Sequence, residues 1–319
     1  SAAHTLVLTA LKTLHNEREI AALVTSYSVS HGAPNQAYPI IAGAGANGST
    51  LHYTANNAPL AGKQLVVLDA GAEWRCYASD VTRTFPVGGE FTPEARGVYQ
   101  AVQRMQEECI QRVRPGVQFV ELHRHAVRVA AEGLVALGVL RGEVGEVLAS
   151  GTVAAFFPHG LGHHVGLEVH DVSGEERLLL AGKSFRPPAP GATATGGGGT
   201  VAMKREWITP EQMAGLFCGG GEEGAAALSG GRQRLEKNMV VTIEPGIYFC
   251  REYIEGYFLK DPKHAKYINK AELDRYWDVG GVRIEDDILV TEDGFENLTS
   301  APKGEAMLRV IREGSASGI

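Results

Sequence analysis

The chain has 319 residues, of which 44% are hydrophobic, 21% are charged and 40 are glycine. That apolar fraction excludes disorder over the whole length, and the longest apolar runs, such as Leu65–Leu68 and Val153–Phe157, fall short of the roughly 18 residues a membrane span needs. A formal net charge of −7 argues against nucleic-acid or membrane-surface partners, both of which need a positive footprint.

In chain order, Ser1–Arg18 is mixed and polar, without the apolar core of a signal peptide. The start at Ser1 rather than Met suggests processing or truncation. Short apolar runs at Gln64–Asp69 and Tyr77–Phe85 are expected strands, bounded by Gly and Pro. Thr92-Pro93 opens a helix with Val98, Val102, Met105 and Cys109 at helical spacing, and Pro115-Gly116 ends it. A second helix is expected from about Val120 to Leu137, stopping at Gly138. From 186 to 231 the chain is rich in Gly and Pro, with a short structured piece at Val201–Phe217. This composition reads as a surface insertion, with a flexible excursion favoured over a functional lid. Met239–Ile243 and Arg283–Thr291 are the remaining strands, giving a mixed α+β pattern with no long-period repeat. Cys76, Cys109, Cys218 and Cys250 lie far apart without a CxxC pair, which suits reduced thiols in a cytoplasmic protein.

The chemistry concentrates in a few segments. Eleven histidines in 319 residues would put roughly 0.4 in an average twelve-residue window, yet His159, His163, His164 and His170 fall within HGLGHHVGLEVH. Asp69 ends an apolar strand and Asp80 follows eleven residues later. If the chain turns back between them, both carboxylates converge on one face of the paired strands. Glu244 and Glu285 lie in apolar strand sequences, where an unpaired carboxylate costs several kcal/mol. Arg283 could neutralise one of these charges, and two divalent cations could compensate the set. Four carboxylates with one imidazole are mostly hard oxygen donors, which suits Mn²⁺, Co²⁺ or Zn²⁺ in a bridged pair. Two such ions typically activate a shared water, so the residues read as a dinuclear metallohydrolase.

DAGAEWRCYASDVTRTFP, HGLGHHVGLEVHD, TIEPGIYF and GGVRIEDD together resemble the pita-bread metallopeptidases, within them the Xaa-Pro aminopeptidase and prolidase branch, and most closely its fungal members. The resemblance runs from about Ile40 to Thr299 with the 186–231 insertion as its one large gap. It implies the creatinase/aminopeptidase fold, a curved, mostly antiparallel sheet covered by helices, and the metal ligands Asp69, Asp80, His163, Glu244 and Glu285. It further implies that His52, His159, His170 and Arg283 line the substrate, with Glu244 moving a proton as well as ligating. Tyr248 reads as a core aromatic, and His164 is given no role.

The implied activity is hydrolysis of the Xaa-Pro bond in peptides or dipeptides, with Mn²⁺ the first choice of metal. A homodimer is left open. The resemblance also implies an N-terminal domain ahead of the catalytic one, and fewer than about 40 residues precede the motif region here. The 319 residues are therefore expected to be one catalytic domain enlarged by an insertion. Prolidases restricted to dipeptides carry an arginine shortly before the TxEPG strand. Arg232 and Arg234 lie near that position without aligning to it. Methionine aminopeptidase activity, or a metal-free adaptor on the same fold, are the competing readings.

Overall fold

The computed structural model describes residues 1–173, 178–179 and 232–314. The 186–231 insertion lies outside the described residues. Two N-terminal helices, α1 (Ala2–Ala10) and α2 (Glu17–Ser30), precede β1 (Asn35–Gln36) and β2 (Ile41–Ala44). β3 (Leu65–Asp69) pairs antiparallel with β2 on one side and with β5 (Thr82–Pro86) on the other. The short β4 (Ala72–Glu73) pairs with β1. In β3 and β5 every residue is buried, and each large apolar side chain so placed contributes about 1.5–3 kcal/mol.

Helix α3 (Pro93–Ile110) begins where the sequence indicates: the Thr92 hydroxyl accepts from the Ala95 N–H at 3.2 Å, and Pro93 occupies the first turn, where its missing N–H costs nothing. Val98, Val102, Met105 and Cys109 form its buried stripe. Helix α4 (Phe119–Ala136) packs along it. The two approach closely because Gly133 faces Ala101, where an added Cβ would come within 2.9 Å of the alanine methyl. A shorter helix, α5 (Val144–Ser150), follows.

The C-terminal half supplies β6 (Val240–Ile243), β7 (Gly246–Tyr248), β8 (Gly281–Arg283), β9 (Asp286–Val290), β10 (Phe295–Asn297) and the closing helix α6 (Gly304–Glu313). β9 lies between β6 and β10, and β7 pairs with β8. All the described pairings are antiparallel, as the expected α+β class requires.

Three expected elements differ in detail. Tyr77–Phe85 is not one strand: Trp74 and Tyr77 close a tight turn through mutual backbone hydrogen bonds, and regular pairing starts at Thr82. The expected strand Arg283–Thr291 is broken at Ile284-Glu285, and Glu244 sits in the matching break between β6 and β7. Both glutamates thus occupy strand ends rather than strand interiors. A ladder interior would satisfy the backbone and fix the side chain to one face; a break frees the carboxylate to turn into the cleft.

Candidate metal centre

Register brings the carboxylates together. Asp69 pairs with Thr82 across β3 and β5, so Asp80, two residues before Thr82, lies beside Asp69 at the mouth of the hairpin. Glu285 arrives opposite, its backbone N–H donating to the Thr82 carbonyl at 3.1 Å. Arg83 locks that junction: its buried guanidinium donates to the Glu285 carbonyl at 2.7 Å and pairs with Asp286 at 2.7 Å. His163 is held by its backbone N–H on the Thr242 hydroxyl at 3.0 Å, which sets it two residues upstream of Glu244.

His52, Asp69, Asp80, His159, His163, His170, Glu244, Arg283 and Glu285 all line one cavity of about 780 Å³. Every predicted site residue is therefore in one place. Asp80, His163 and Glu285 converge most closely, with candidate ligand atoms all within 4.8 Å of one another. His163 Nε2 lies 3.2 Å from Glu244 and 3.5 Å from Asp80. Asp69 joins through Tyr38, whose hydroxyl is 2.6 Å from both Asp69 Oδ1 and Asp80 Oδ1. One hydroxyl carries one hydrogen, so it can donate to only one of the two carboxyls at a time.

The electrostatics follow from that crowding. Arg283 donates to Asp69 at 2.5 Å, and among the described residues it is the one permanent cation paired with these four carboxylates. Burial, then the charge of Asp69, pushes the Asp80 carboxyl up to about 6. Burial, then the charges of Asp80, Glu244 and Asp69, drives Glu285 well above the usual range. Burial opposes ionisation of Glu244 too, but the hydrogen bond and charge of His163, then His159 and Arg283, bring it down to about 2. Burial also opposes charging of His163, yet its bonds to Asp80 and Glu244 hold its pKa well above the ordinary value.

These groups fit a pair of divalent cations on two counts. Glu285 Oε2 accepts from the Thr82 hydroxyl at 2.6 Å, while its buried Oε1 has no hydrogen-bond partner among the described residues, a cost that coordination would remove. His163 Nδ1 faces the His164 carbonyl at 2.9 Å. A carbonyl can only accept, so Nδ1 carries a proton whatever the charge on the ring. Without a cation Nε2 is protonated too and donates to Asp80 and Glu244, and loss of that one proton leaves the Nδ1–H tautomer whose Nε2 lone pair a metal ligand needs.

His159 follows the same logic. Its Nδ1 donates to the Gly160 carbonyl at 2.7 Å and its Nε2 accepts from the Tyr248 hydroxyl at 2.9 Å. Burial lowers its pKa to about 4, keeping it neutral. Tyr248 is buried, as a core aromatic would be, yet its hydroxyl also accepts from Arg283 at 2.9 Å, so it ties His159 to Arg283. His52 and His170 are exposed at the cavity mouth, and the His170 ring lies 4.1 Å from that of His163. His164 turns to Gln233 at 2.6 Å. Neither Arg232, which donates to the Leu179 carbonyl at 3.0 Å, nor Arg234, which donates to the Gly116 carbonyl at 2.6 Å, lines the cavity.

Sequence reasoning missed Tyr38, Thr82 and Thr242. The two threonines stood two residues from Asp80 and Glu244, a strand-face spacing that could have flagged them. Tyr38 gave no signal, since a loop beside β1 delivers it.

The profile described as metallopeptidase family M24 matches residues 1–292. A protein of Colletotrichum graminicola named "Probable Xaa-Pro aminopeptidase" is 60% identical over 315 residues, which cover 97% of this chain and 58% of that protein. A protein of the same name from Metarhizium acridum is 54% identical over 316 residues, covering 98% of this chain and 60% of its own. Among solved structures, the low-pH form of aminopeptidase P from Escherichia coli matches with a TM-score of 0.71 at 31% identity, over 98% of this chain and 56% of that one. The zinc-substituted form in complex with product matches with a TM-score of 0.69 at 29% identity, over 98% and 57%. The chain spans about three-fifths of the length of these curated relatives. The expected pita-bread fold is borne out by the structural likeness.

Proposed function

The chain belongs to metallopeptidase family M24, and on that premise, which implies divalent metal ions, we propose that it hydrolyses the Xaa-Pro peptide bond, releasing the residue before proline from peptides, dipeptides or both. The observation that carries this reading is the convergence of Asp80, His163 and Glu285, together with the unpartnered Glu285 Oε1. In this reading Asp69, Asp80, His163, Glu244 and Glu285 hold two divalent ions, Mn²⁺ first and Co²⁺ or Zn²⁺ as alternatives. When bound, such a pair supplies Lewis acidity and lowers the pKa of a water it holds.

The chain's own residues do the rest. Glu244 takes the proton of the attacking water and returns it to the leaving proline nitrogen. His52 and His170, at the mouth, hydrogen-bond the scissile carbonyl as its oxygen gains charge. Neutral His159, held by Tyr248, offers a fixed polar edge to the substrate, and Arg283 holds the Asp69 carboxylate in place through their hydrogen bond. Pro39, Ile41, Leu51, Pro158 and Val169 give the same cavity apolar walls, suited to a prolyl ring that lacks an N–H and would waste polar partners. Among the described residues no helix is long and apolar enough to cross a membrane. Cys76, Cys109 and Cys250 stand as free thiols. Both are consistent with a cytoplasmic location, which is part of the proposal.

The test is release of alanine from Ala-Pro and from Ala-Pro-Ala, with Met-Ala alongside and Asp80→Ala as control. We expect Mn²⁺-dependent cleavage of one or both proline substrates and its loss in Asp80→Ala. Cleavage of Met-Ala alone would replace this reading with a methionine aminopeptidase. Less than one tightly bound ion per chain, with no activity on adding Mn²⁺, would leave a metal-free adaptor.

A further inference from the structure

Glu17 is the first residue of α2 and is fully buried, yet no lysine or arginine neutralises it among the described ion pairs. Its carboxylate instead gathers the segment between β2 and β3. Oε1 accepts from the Ala44 N–H at 2.7 Å and the Asn47 side chain at 3.0 Å; Oε2 accepts from the Tyr53 hydroxyl at 2.8 Å and the Ala58 N–H at 2.8 Å. The Glu17 N–H donates back to the Ala58 carbonyl at 3.0 Å. The helix N-terminus adds favourable partial charge. Such a fully satisfied buried hub rigidifies what it holds.

The segment it holds carries His52, and Leu51, His52 and Thr54 are its contributions to the cavity. Between Ala44 and Ala58 the chain has one short helical turn, Gly45–Ser49, and no regular pairing beyond it. That turn also presses on β8, which carries Arg283: a Cβ at Gly281 would come within 2.2 Å of the Gly48 carbonyl oxygen. His52 is exposed, so burial adds little to its placement, and the adjacent Tyr53 is bonded to Glu17.

We infer that Glu17 is a positioning residue for His52, holding the 44–58 segment so that the imidazole faces the reacting carbonyl. The consequence for catalysis rests on the proposed peptide hydrolysis; the holding of His52 does not. Glu17→Gln removes one acceptor oxygen and turns an amide N–H₂ toward an N–H or O–H donor. Tyr53→Phe removes one donor from the same hub without changing the shape of the side chain.

In the Mn²⁺-loaded chain, kcat/KM for Ala-Pro-Ala should fall by about 100-fold in Glu17→Gln, the loss that a misplacement of about 1 Å brings, and by a smaller factor in Tyr53→Phe. Manganese content should not change. Combined with His52→Ala, either substitution should cost nothing further, because a positioning residue has no effect once its client is gone. In the metal-free chain, ¹⁵N-histidine spectra should show the His52 signal split or broadened in both variants, while His159 and His163 keep theirs. Full additivity with His52→Ala, or an unaltered His52 signal in Tyr53→Phe, would overturn the inference. If the parent chain cleaves no proline substrate, the proposed function fails and the spectra still decide whether Glu17 positions His52. Should Glu17→Gln not fold, Tyr53→Phe carries both measurements.

Discussion

Gly71 lies between the two aspartates of the candidate centre, where the chain leaves β3. A methyl group there would sit 1.7 Å from the Ser79 carbonyl oxygen, 2.6 Å from its carbon and 3.0 Å from Tyr38 Cε1. Since Cβ atoms keep at least 3.0 Å from other heavy atoms, one side must retreat by about 1.3 Å. The obstacle is backbone, one residue before Asp80, and cannot swing away as a flexible side chain would. Gly71→Ala should therefore destabilise the fold by about 1–3 kcal/mol, the usual overpacking cost. In a chain of this size that is a fall of roughly 2–6 °C in Tm. It should also move Asp80 away from Asp69 by more than the ~0.2 Å tolerance of metal–ligand distances, weakening Mn²⁺ binding by about 10- to 100-fold. Thermal unfolding with and without Mn²⁺, beside a metal titration, measures both effects. Gly145→Ala is the control: nothing lies within 4 Å of the added methyl and the site is in helix α5, so it should stabilise by about 0.5–1 kcal/mol. A Gly71→Ala chain as stable as its parent and equally avid for Mn²⁺ would refute the close-approach argument.

Further outcomes follow from the site and its surroundings. Because Glu285 is raised well above the usual carboxyl range and Asp80 to about 6, the metal-free centre at pH 6 holds protons that cations must displace. Adding Mn²⁺ to a weakly buffered solution at that pH should acidify it, and affinity should rise with pH; binding without proton release would contradict the charge assignment. Tyr248→Phe leaves a buried Arg283 N–H unsatisfied, costing about 1–3 kcal/mol. It should lower kcat/KM by about 10-fold or more with metal content intact, and unchanged kinetics would remove Tyr248 from the site. His4 is buried with its Nε2 donating to the Val81 carbonyl at 3.0 Å, and burial lowers its pKa from 6.5 to about 3. Its neutral form is the stabilising one, so its contribution is present above pH 6.5 and is lost as the solution is acidified. At about 1.4 kcal/mol per pH unit, His4→Gln should lose about 2 kcal/mol less than the parent between pH 6.5 and 5.0 in urea titrations. Identical acid dependence would refute it.

Much of this was legible in the residues. Thr92-Pro93, the apolar stripe of α3 and the Gly138 stop are local signals, so the start of α3 and both ends of α4 fall within a residue of expectation, whereas α3 stops at Ile110, short of the expected Pro115-Gly116. The carboxylates and the histidine cluster were legible because charged groups in apolar sequence and four clustered histidines are chemically conspicuous, while the choice of His163 as ligand and of His52 as a neighbour came from the family resemblance. What local pattern could not supply was everything that depends on distant segments meeting. The breaks at Glu244 and Glu285 look like continuous strand in sequence, since apolar alternation does not record where a ladder stops. Tyr248 read as core and is core, but its hydroxyl finds His159 from a loop and Arg283 from the neighbouring strand. Tyr38 and Glu17 sit in segments with no motif at all, and acquire meaning only because folding sets one between two aspartates and the other beneath the His52 segment. Residue chemistry named the reaction's participants; the long-range packing assigned their partners, protonation states and support, because those energies arise between residues tens to hundreds of positions apart.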